Sequence, residues 1–305
     1  MDDKVVAEAA AFLRAATRAP PVPVHARANI TRTKSRRSTT APKWGSRKIA
    51  YNPSNLTASQ RYAVQAVIER GINVFLTGPG GCGKTHVINC VKRNAELLNM
   101  RCAVTAPTGT AAVYINGMTI HSFAKLPIAS STSGLTPKDR AAYLAKVKTN
   151  KGLFWTLKNT HILIIDEVSM VTTKMLTLLD EAIRSVRKIN RPFGGMVVMA
   201  IGDMMQIAPV QCGASRDVPS LLIQDRIFAT WFPLTIRLSK NFRMQDEDDA
   251  QVLAELRLGE LSDASRRILE SRGVVLDPTC SKDVFRIPHL TDLCRTMVDS
   301  IMARR

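Results

Sequence analysis

Between residues 56 and 201, short apolar runs alternate with longer stretches whose apolar positions recur every three to four residues. Residues 72–77 (INVFLT) form a run of strand length, and residues 85–98 put Val87, Val91, Ala95 and Leu98 on one helical face. Residues 101–106 predict a second strand, 161–166 (HILIID) a third and 196–201 (MVVMAI) a fourth. The last two do not alternate polar with apolar, as expected of strands buried on both faces. Met175, Leu179, Ala182, Ile183 and Val186 mark a helical stripe between them. Alternation of this kind predicts an α/β fold, a parallel sheet with helices on both faces. Helical patterns take over after Gln245, and no internal repeat is present.

The N-terminal stretch behaves otherwise. Residues 19–48 are rich in Pro, Ser, Thr and Arg and poor in large apolar side chains. Such a segment cannot bury enough surface to offset the entropy lost on ordering. Val5, Ala9, Phe12 and Leu13 are spaced for one short helix ahead of it. The expected organisation is a disordered basic tail over 1–50, a main domain over 51–235, and a second, mostly helical and incomplete domain over 236–305.

Charge adds a partner class. Lys plus Arg is 43 and Asp plus Glu is 25 in 305 residues, a net +18. Residues 1–50 hold 11 basic and 3 acidic side chains and so carry +8 of it. This balance favours polyanions, nucleic acid above all, with a merely solvated basic surface as the rival explanation. The Lys34 to Arg37 cluster reads as a nuclear address, a loose nucleic-acid contact or plain solubility. The six cysteines form no CxxC pair and no Cys/His cluster of zinc spacing, so no structural metal is expected. They read as reduced thiols of an intracellular protein. No apolar run is long enough for a transmembrane helix, and the acidic start does not resemble a secretory signal.

The chemistry concentrates at strand ends. Gly78-Pro79-Gly80-Gly81-Cys82-Gly83-Lys84-Thr85 matches GxxxxGK[ST] between a buried strand and a helix, the context that motif requires. Successive backbone N–H groups of such a turn point into one concavity, and the helix N-terminus adds partial positive charge where phosphates sit. Lys84 would reach the β/γ-phosphates of ATP and the Thr85 hydroxyl would bind Mg²⁺. Asp166 and Glu167 end an apolar strand. Asp166 would hold Mg²⁺ through its water shell, and Glu167 would orient or deprotonate the attacking water. Gln206, in the turn after the next buried strand, would bond both water and γ-phosphate.

With these motifs in order, the chain resembles the PIF/RecD-like DNA helicases of superfamily one, from about Asn55 to at least Leu261 and more faintly to the end. Leu56-Thr57-Ala58-Ser59-Gln60 is similar to the family's adenine-reading segment. Thr57 and Gln60 also fit a helix capping box, so Gln60 caps, reads the base, or does both. Thr105-Ala106-Pro107-Thr108 and Thr119-Ile120-His121-Ser122-Phe123 are similar to its single-strand-contacting elements. Against that, Thr108 fits a bond within its own turn, and His121 and Phe123 fit packing roles. Leu238-Ser239-Lys240-Asn241-Phe242-Arg243 resembles the segment that supplies an arginine to the γ-phosphate, with a surface ion pair as the rival role for Arg243. The resemblance implies a RecA-like P-loop NTPase domain and the start of a second, incomplete motor domain. It implies a motor driven by ATP and Mg²⁺, moving 5′-to-3′ on single-stranded or tailed duplex DNA in replication, repair or telomere maintenance. The site would sit in a nuclear, organellar or viral compartment. Departures from the family are Cys82 for a frequent Thr, Ala208 for a common Pro, and no sign of the late motifs. These last leave open an ATP-dependent nucleic-acid-binding switch, or a remnant without unwinding. A nucleotide kinase does not account for the Asn241-Phe242-Arg243 segment.

Overall fold

A computed structural model describes residues 44–127, 135–206, 222–244, 246–258 and 261–271. Residues 1–43 and 272–305, with Ala208 and Gly259-Glu260, lie outside the described residues. The chain divides into two compact units, one ending at Arg243 and one beginning at Met244.

The first unit is built on six strands: β1 (Val74–Thr77), β2 (Cys102–Ala106), β3 (Met118–Thr119), β4 (Ile162–Ile165), β5 (Val197–Gly202) and β6 (Leu234–Arg237). All pair in parallel, in the order β3-β2-β4-β5-β1-β6. The predicted strands are present within two residues of their expected ends. The short edge strands β3 and β6 carry too little apolar pattern to be read locally. The helices are α1 (Ala58–Gln65, continued by a π-helical turn Ala66–Arg70), α2 (Lys84–Leu97), α3 (Gly109–Tyr114), α4 (Ile120–Ala124), α5 (Pro137–Thr149), α6 (Lys151–Asn159), α7 (Thr173–Arg187) and α8 (Arg226–Trp231).

Because successive strand residues point to opposite faces, each all-apolar run feeds two cores. Phe75, Leu163, Ile165, Val198 and Ala200 pack with α5, α6 and α7 through Val147, Leu157, Leu176 and Leu179. Val74, Leu76, Ile162, Ile164, Met199 and Ile201 pack with α1 and α2 through Ala63, Val67, Val87 and Val91. Parallel pairing puts the carboxyl ends of β1, β5 and β4 side by side: Thr77 is in register with Gly202, and Ile165 with Ala200. In open sheets of this kind ligands bind at that edge.

Residues 44–50, expected to be part of the disordered tail, are instead packed. The Gly45 N–H donates to Glu69 O at 2.7 Å, and the Ile49 N–H to Glu69 Oε1 at 3.0 Å. Asn94, fully buried in α2, accepts from the Ala50 and Tyr51 N–H groups and donates to Tyr51 O. A few anchors, Trp44 and Ile49 among them, order a stretch whose average composition argues for disorder.

In the second unit α9 (Glu247–Leu258) packs against α10 (Asp263–Ser271). Glu255 joins them, accepting from Ser262 N–H at 2.8 Å and from Ser262 Oγ at 3.1 Å. Among the described residues no helix is long and apolar enough to cross a membrane.

Candidate nucleotide-binding site

The phosphate-loop candidate leaves β1 at Thr77 and enters α2 at Lys84. Gly81 (φ +79°) and Gly83 (φ +83°) are left-handed, a region costly for other residues. Gly78 is constrained by space: a Cβ there would lie 2.6 Å from Leu238 O. Gly80 is open, with the Arg243 guanidinium 4.0 Å from where its Cβ would be. No side chain caps the N-terminus of α2, because Gly83 holds the cap position. A helix N-terminus whose cap residue has no side chain is a ready anion site. The Lys84 ammonium lies over the turn, donating to Gly78 O at 2.7 Å and Pro79 O at 3.0 Å. Thr85, in the first turn of α2, is exposed. Cys82 is buried, and that burial pushes its thiol pKa up.

Gln60 caps α1, as its spacing allowed, and makes a second bond to the glycine turn. Its N–H donates to Thr57 Oγ1 at 3.2 Å and its Oε1 accepts from Thr57 N–H at 2.9 Å, closing the capping box of α1. Its Nε2 donates to Cys82 O at 3.2 Å, tying that helix to the glycine turn.

The carboxylates stand at the same sheet edge. Asp166 follows β4 directly, its N–H held by Thr105 O at 2.8 Å. The side chain is 8 % exposed. Burial pushes its pKa up to about 6, the Glu167 charge adds to that, and the Lys84 ammonium opposes it. The acid therefore lies in the field of the loop lysine. Glu167 is held at φ +48°, a strained conformation for a non-glycine residue. Beyond β5, Asp203 is fully buried and its carbonyl accepts from Gln206 N–H at 3.0 Å. This turn leaves Gln206 exposed.

Arg243 reaches the loop through β6. The Leu238 N–H donates to Thr77 O at 2.8 Å, and four residues on the Phe242 N–H donates to Gly81 O at 2.9 Å. The Asn241 side chain then accepts from Arg243 N–H at 2.8 Å. Among the described residues no carboxylate pairs with Arg243. Asn241, Phe242 and Asp203 also stand at this site, although the motifs assigned none of them a role of its own. The Phe242 ring is half-exposed, lies 3.7 Å from where a Gly83 Cβ would be, and has the Lys240 ammonium 5.2 Å from its centroid. The Asn-Phe-Arg triplet was its only local signal.

The expected strand-contacting residues separate. Thr108 caps α3, its Oγ1 accepting from Ala111 N–H at 3.2 Å, at the carboxyl end of β2. His121 is half-buried in α4, and burial lowers its pKa. Phe123 is corrected: at 4 % exposed it belongs to the core beneath α4. A ring so enclosed has no free face on which a base could stack.

A glycine turn between an interior parallel strand and a helix, with the Asp166 carboxyl at the same sheet edge and in the field of the loop lysine, defines a P-loop NTPase of the RecA-like α/β class. Within that class the chain belongs to the PIF1-like helicase family, which it matches over residues 55–267. It is 31 % identical over 263 residues to the human ATP-dependent DNA helicase PIF1, covering 85 % of this chain and 39 % of that protein. It is 33 % identical over 217 residues to the ATP-dependent DNA helicase RRM3 of Saccharomyces cerevisiae, covering 70 % of this chain and 29 % of that one. Among solved structures, Pif1 helicase from Candida albicans aligns with a TM-score of 0.64 at 29 % identity, covering 79 % of this chain and 53 % of that chain. Bacteroides Pif1 in complex with ADP-AlF3 and single-stranded DNA aligns with a TM-score of 0.63 at 27 % identity, covering 83 % and 58 %. The chain thus spans between a quarter and two fifths of the length of these curated relatives.

Proposed function

We propose that this chain is the ATP-hydrolysing motor portion of a DNA helicase that translocates 5′-to-3′ on single-stranded DNA and unwinds tailed duplexes. The observation that carries the reading is the convergence of Lys84, Arg243 and the Asp166 carboxyl on one glycine turn. The loop amides and Lys84 hold the β- and γ-phosphates. Arg243 stabilises charge on the transferring phosphoryl group, a contribution of ~10³–10⁵ in rate for an arginine finger in cis. Glu167 orients the attacking water and Gln206 contacts water and γ-phosphate. Gln60, against Cys82 O, and the Phe242 ring flank the side where the base would lie.

The donor set suits a divalent hard cation. Thr85 offers a hydroxyl and Asp166 a carboxyl, both oxygen donors at the carboxyl edge of the sheet. These two residues would hold Mg²⁺, which neutralises developing charge between the phosphates when bound.

Single-stranded DNA is the proposed track. The basic surplus and the nature of the solved relatives, which include Bacteroides Pif1 bound to ssDNA and Pif1 helicases at forked dsDNA, support it. Thr108 and His121, at the carboxyl end of the β2–β3 edge, are the proposed first contacts. Among the described residues Cys82, Cys90 and Cys102 are free thiols, which supports an intracellular compartment. The test pairs an ATPase assay with and without single-stranded DNA with strand displacement on a 5′-tailed duplex. Stimulated hydrolysis with displacement supports the motor. Stimulation without displacement assigns the chain as a nucleic-acid-binding switch, and neither signal marks a remnant.

A further inference from the structure

We propose that a lateral groove along the uncovered edge of β2 holds single-stranded nucleic acid, continuing the path that starts at Thr108 and His121. The inference rests on the reading that this chain binds single strands, and it gives that strand a course down the flank of the sheet. β2 runs from Cys102 to Ala106, but β3 pairs only with Thr105 and Ala106. Among the described residues no strand pairs with the first three residues of β2 on that side. Beside them opens a cavity of about 590 Å³, within the ~300–1,000 Å³ of pockets that enclose small organic ligands.

The lining is cationic and apolar. Lys92, Arg101 and Lys125 contribute charge, and Met118 and Leu153 contribute apolar surface. No Asp or Glu is among the described residues that line it. Glu96, whose charge also reaches Cys102, is paired with Arg93 at 3.2 Å. The Lys92 ammonium donates to Ile115 O at 3.4 Å, next to Tyr114, whose side chain is 85 % exposed. Val113, at 77 %, and Met118, at 47 %, extend that uncovered apolar surface. Cations tracking phosphates, with an exposed ring for bases to stack on, are what sequence-tolerant single-strand sites use. Tyr114 therefore takes the stacking role that the burial of Phe123 denies it.

An acidic peptide adding a strand to β2 is a poorer fit. Gly117 already closes on Val104 O, so tightly that a Cβ there would collide with it. Only Cys102 and Ala103 would remain to pair. The groove is also continuous with the strand-contacting segment, since Ser122 of α4, next to His121, lines it.

The test is fluorescence anisotropy of the full chain with labelled oligo-dT, short and long, across a salt series. Replacing Lys92, Arg101 and Lys125 together by Gln should lower the slope of log K against log salt by about 2 for the long oligonucleotide, at ~0.7 per phosphate lost from a single strand. Tyr114→Ala should weaken binding roughly 5- to 150-fold, the range seen when stacking aromatics are truncated, and Tyr114→Phe should bind as the parent does. Binding of a fluorescent ATP analogue, unchanged in these variants, reports that the fold is intact. Should any variant misfold, photo-crosslinking of 4-thiothymidine oligonucleotides to the parent chain replaces it, with adducts expected at Tyr114 and in the Lys125 peptide. Parent-like affinity and salt slope in every variant, or crosslinks confined to the Thr108 and His121 segments, would overturn the groove. So would loss of polyglutamate binding with oligonucleotide binding intact, which would assign the groove to an acidic peptide. A parent chain that binds no oligonucleotide at all would instead remove the helicase reading itself.

Discussion

Gly83→Ala tests whether the nucleotide loop is held by its own backbone or by its partner across the fold. Two costs add at this position. Gly83 sits at φ +83°, where a Cβ costs roughly 1–2 kcal/mol. That Cβ would also lie 2.5 Å from Gln60 Nε2. Gln60 is the far end of a flexible side chain, but it is only 1 % exposed and is held at both ends, by Cys82 O and by Thr57 N–H. Moving it breaks both bonds, at about 1 kcal/mol each. Gly83→Ala should therefore lower unfolding stability by about 3–4 kcal/mol, adding the ~1–2 kcal/mol of the backbone to the ~2 kcal/mol of the bonds. In a Gln60→Ala background the collision is gone and only the backbone cost of about 1–2 kcal/mol remains. A double-mutant cycle by urea denaturation should thus give a coupling of about 2 kcal/mol. Titration with a fluorescent ATP analogue should show the Gly83→Ala loss of affinity shrinking in the same background. Additivity of the two substitutions within ~0.5 kcal/mol, the scatter of independent sites, would refute the argument that Gln60 braces the turn.

Asn94→Ala removes a fully buried amide that makes four hydrogen bonds, three of them to residues 50 and 51. A loss of about 3–4 kcal/mol is expected at about 1 kcal/mol per bond, with faster tryptic cleavage after Lys48; a loss under ~1 kcal/mol would mean the N-terminal segment is not clasped there. Glu167→Gln should bind nucleotide like the parent but hydrolyse it ~10²–10⁴-fold more slowly, measured by phosphate release, as for loss of a general base. Equal loss of binding and hydrolysis would point to a structural role. Hydrogen bonds from the Gln251 amide and from the Ser262 N–H and hydroxyl hold the Glu255 pKa down to about 2. A folded pKa below the unfolded value stabilises above the latter, so this contribution should be present above about pH 4.3 and be lost as pH falls toward 2. The protection factor of the Ser262 amide, its exchange relative to the intrinsic rate at each pH, should fall across that window, and Glu255→Gln should flatten the dependence.

The sequence by itself determined the elements and the placement of the candidate residues within one strand–turn–helix unit. An apolar run buried on both faces, a turn with glycines at left-handed positions and a helix with a periodic face are local patterns, because backbone sterics and burial act over a few residues. Lys84, Asp166 and Glu167 were legible for that reason. What only the tertiary structure decided is which of those units stand side by side. The order β4-β5-β1-β6 brings Asp166, Gln206 and Arg243 to one edge although 77 residues separate the first from the last. Strand order is set by pairing between distant segments, and no local spacing encodes it. The same limit explains Phe123, whose fate as core or platform depended on what covered α4. It also explains residues 44–50, ordered by the buried Asn94 half a hundred residues away, and Gln60, whose second bond lies across the fold at Cys82. Burial and pairing between distant segments are properties of the assembled chain, and they settled each of these where the local pattern allowed two answers.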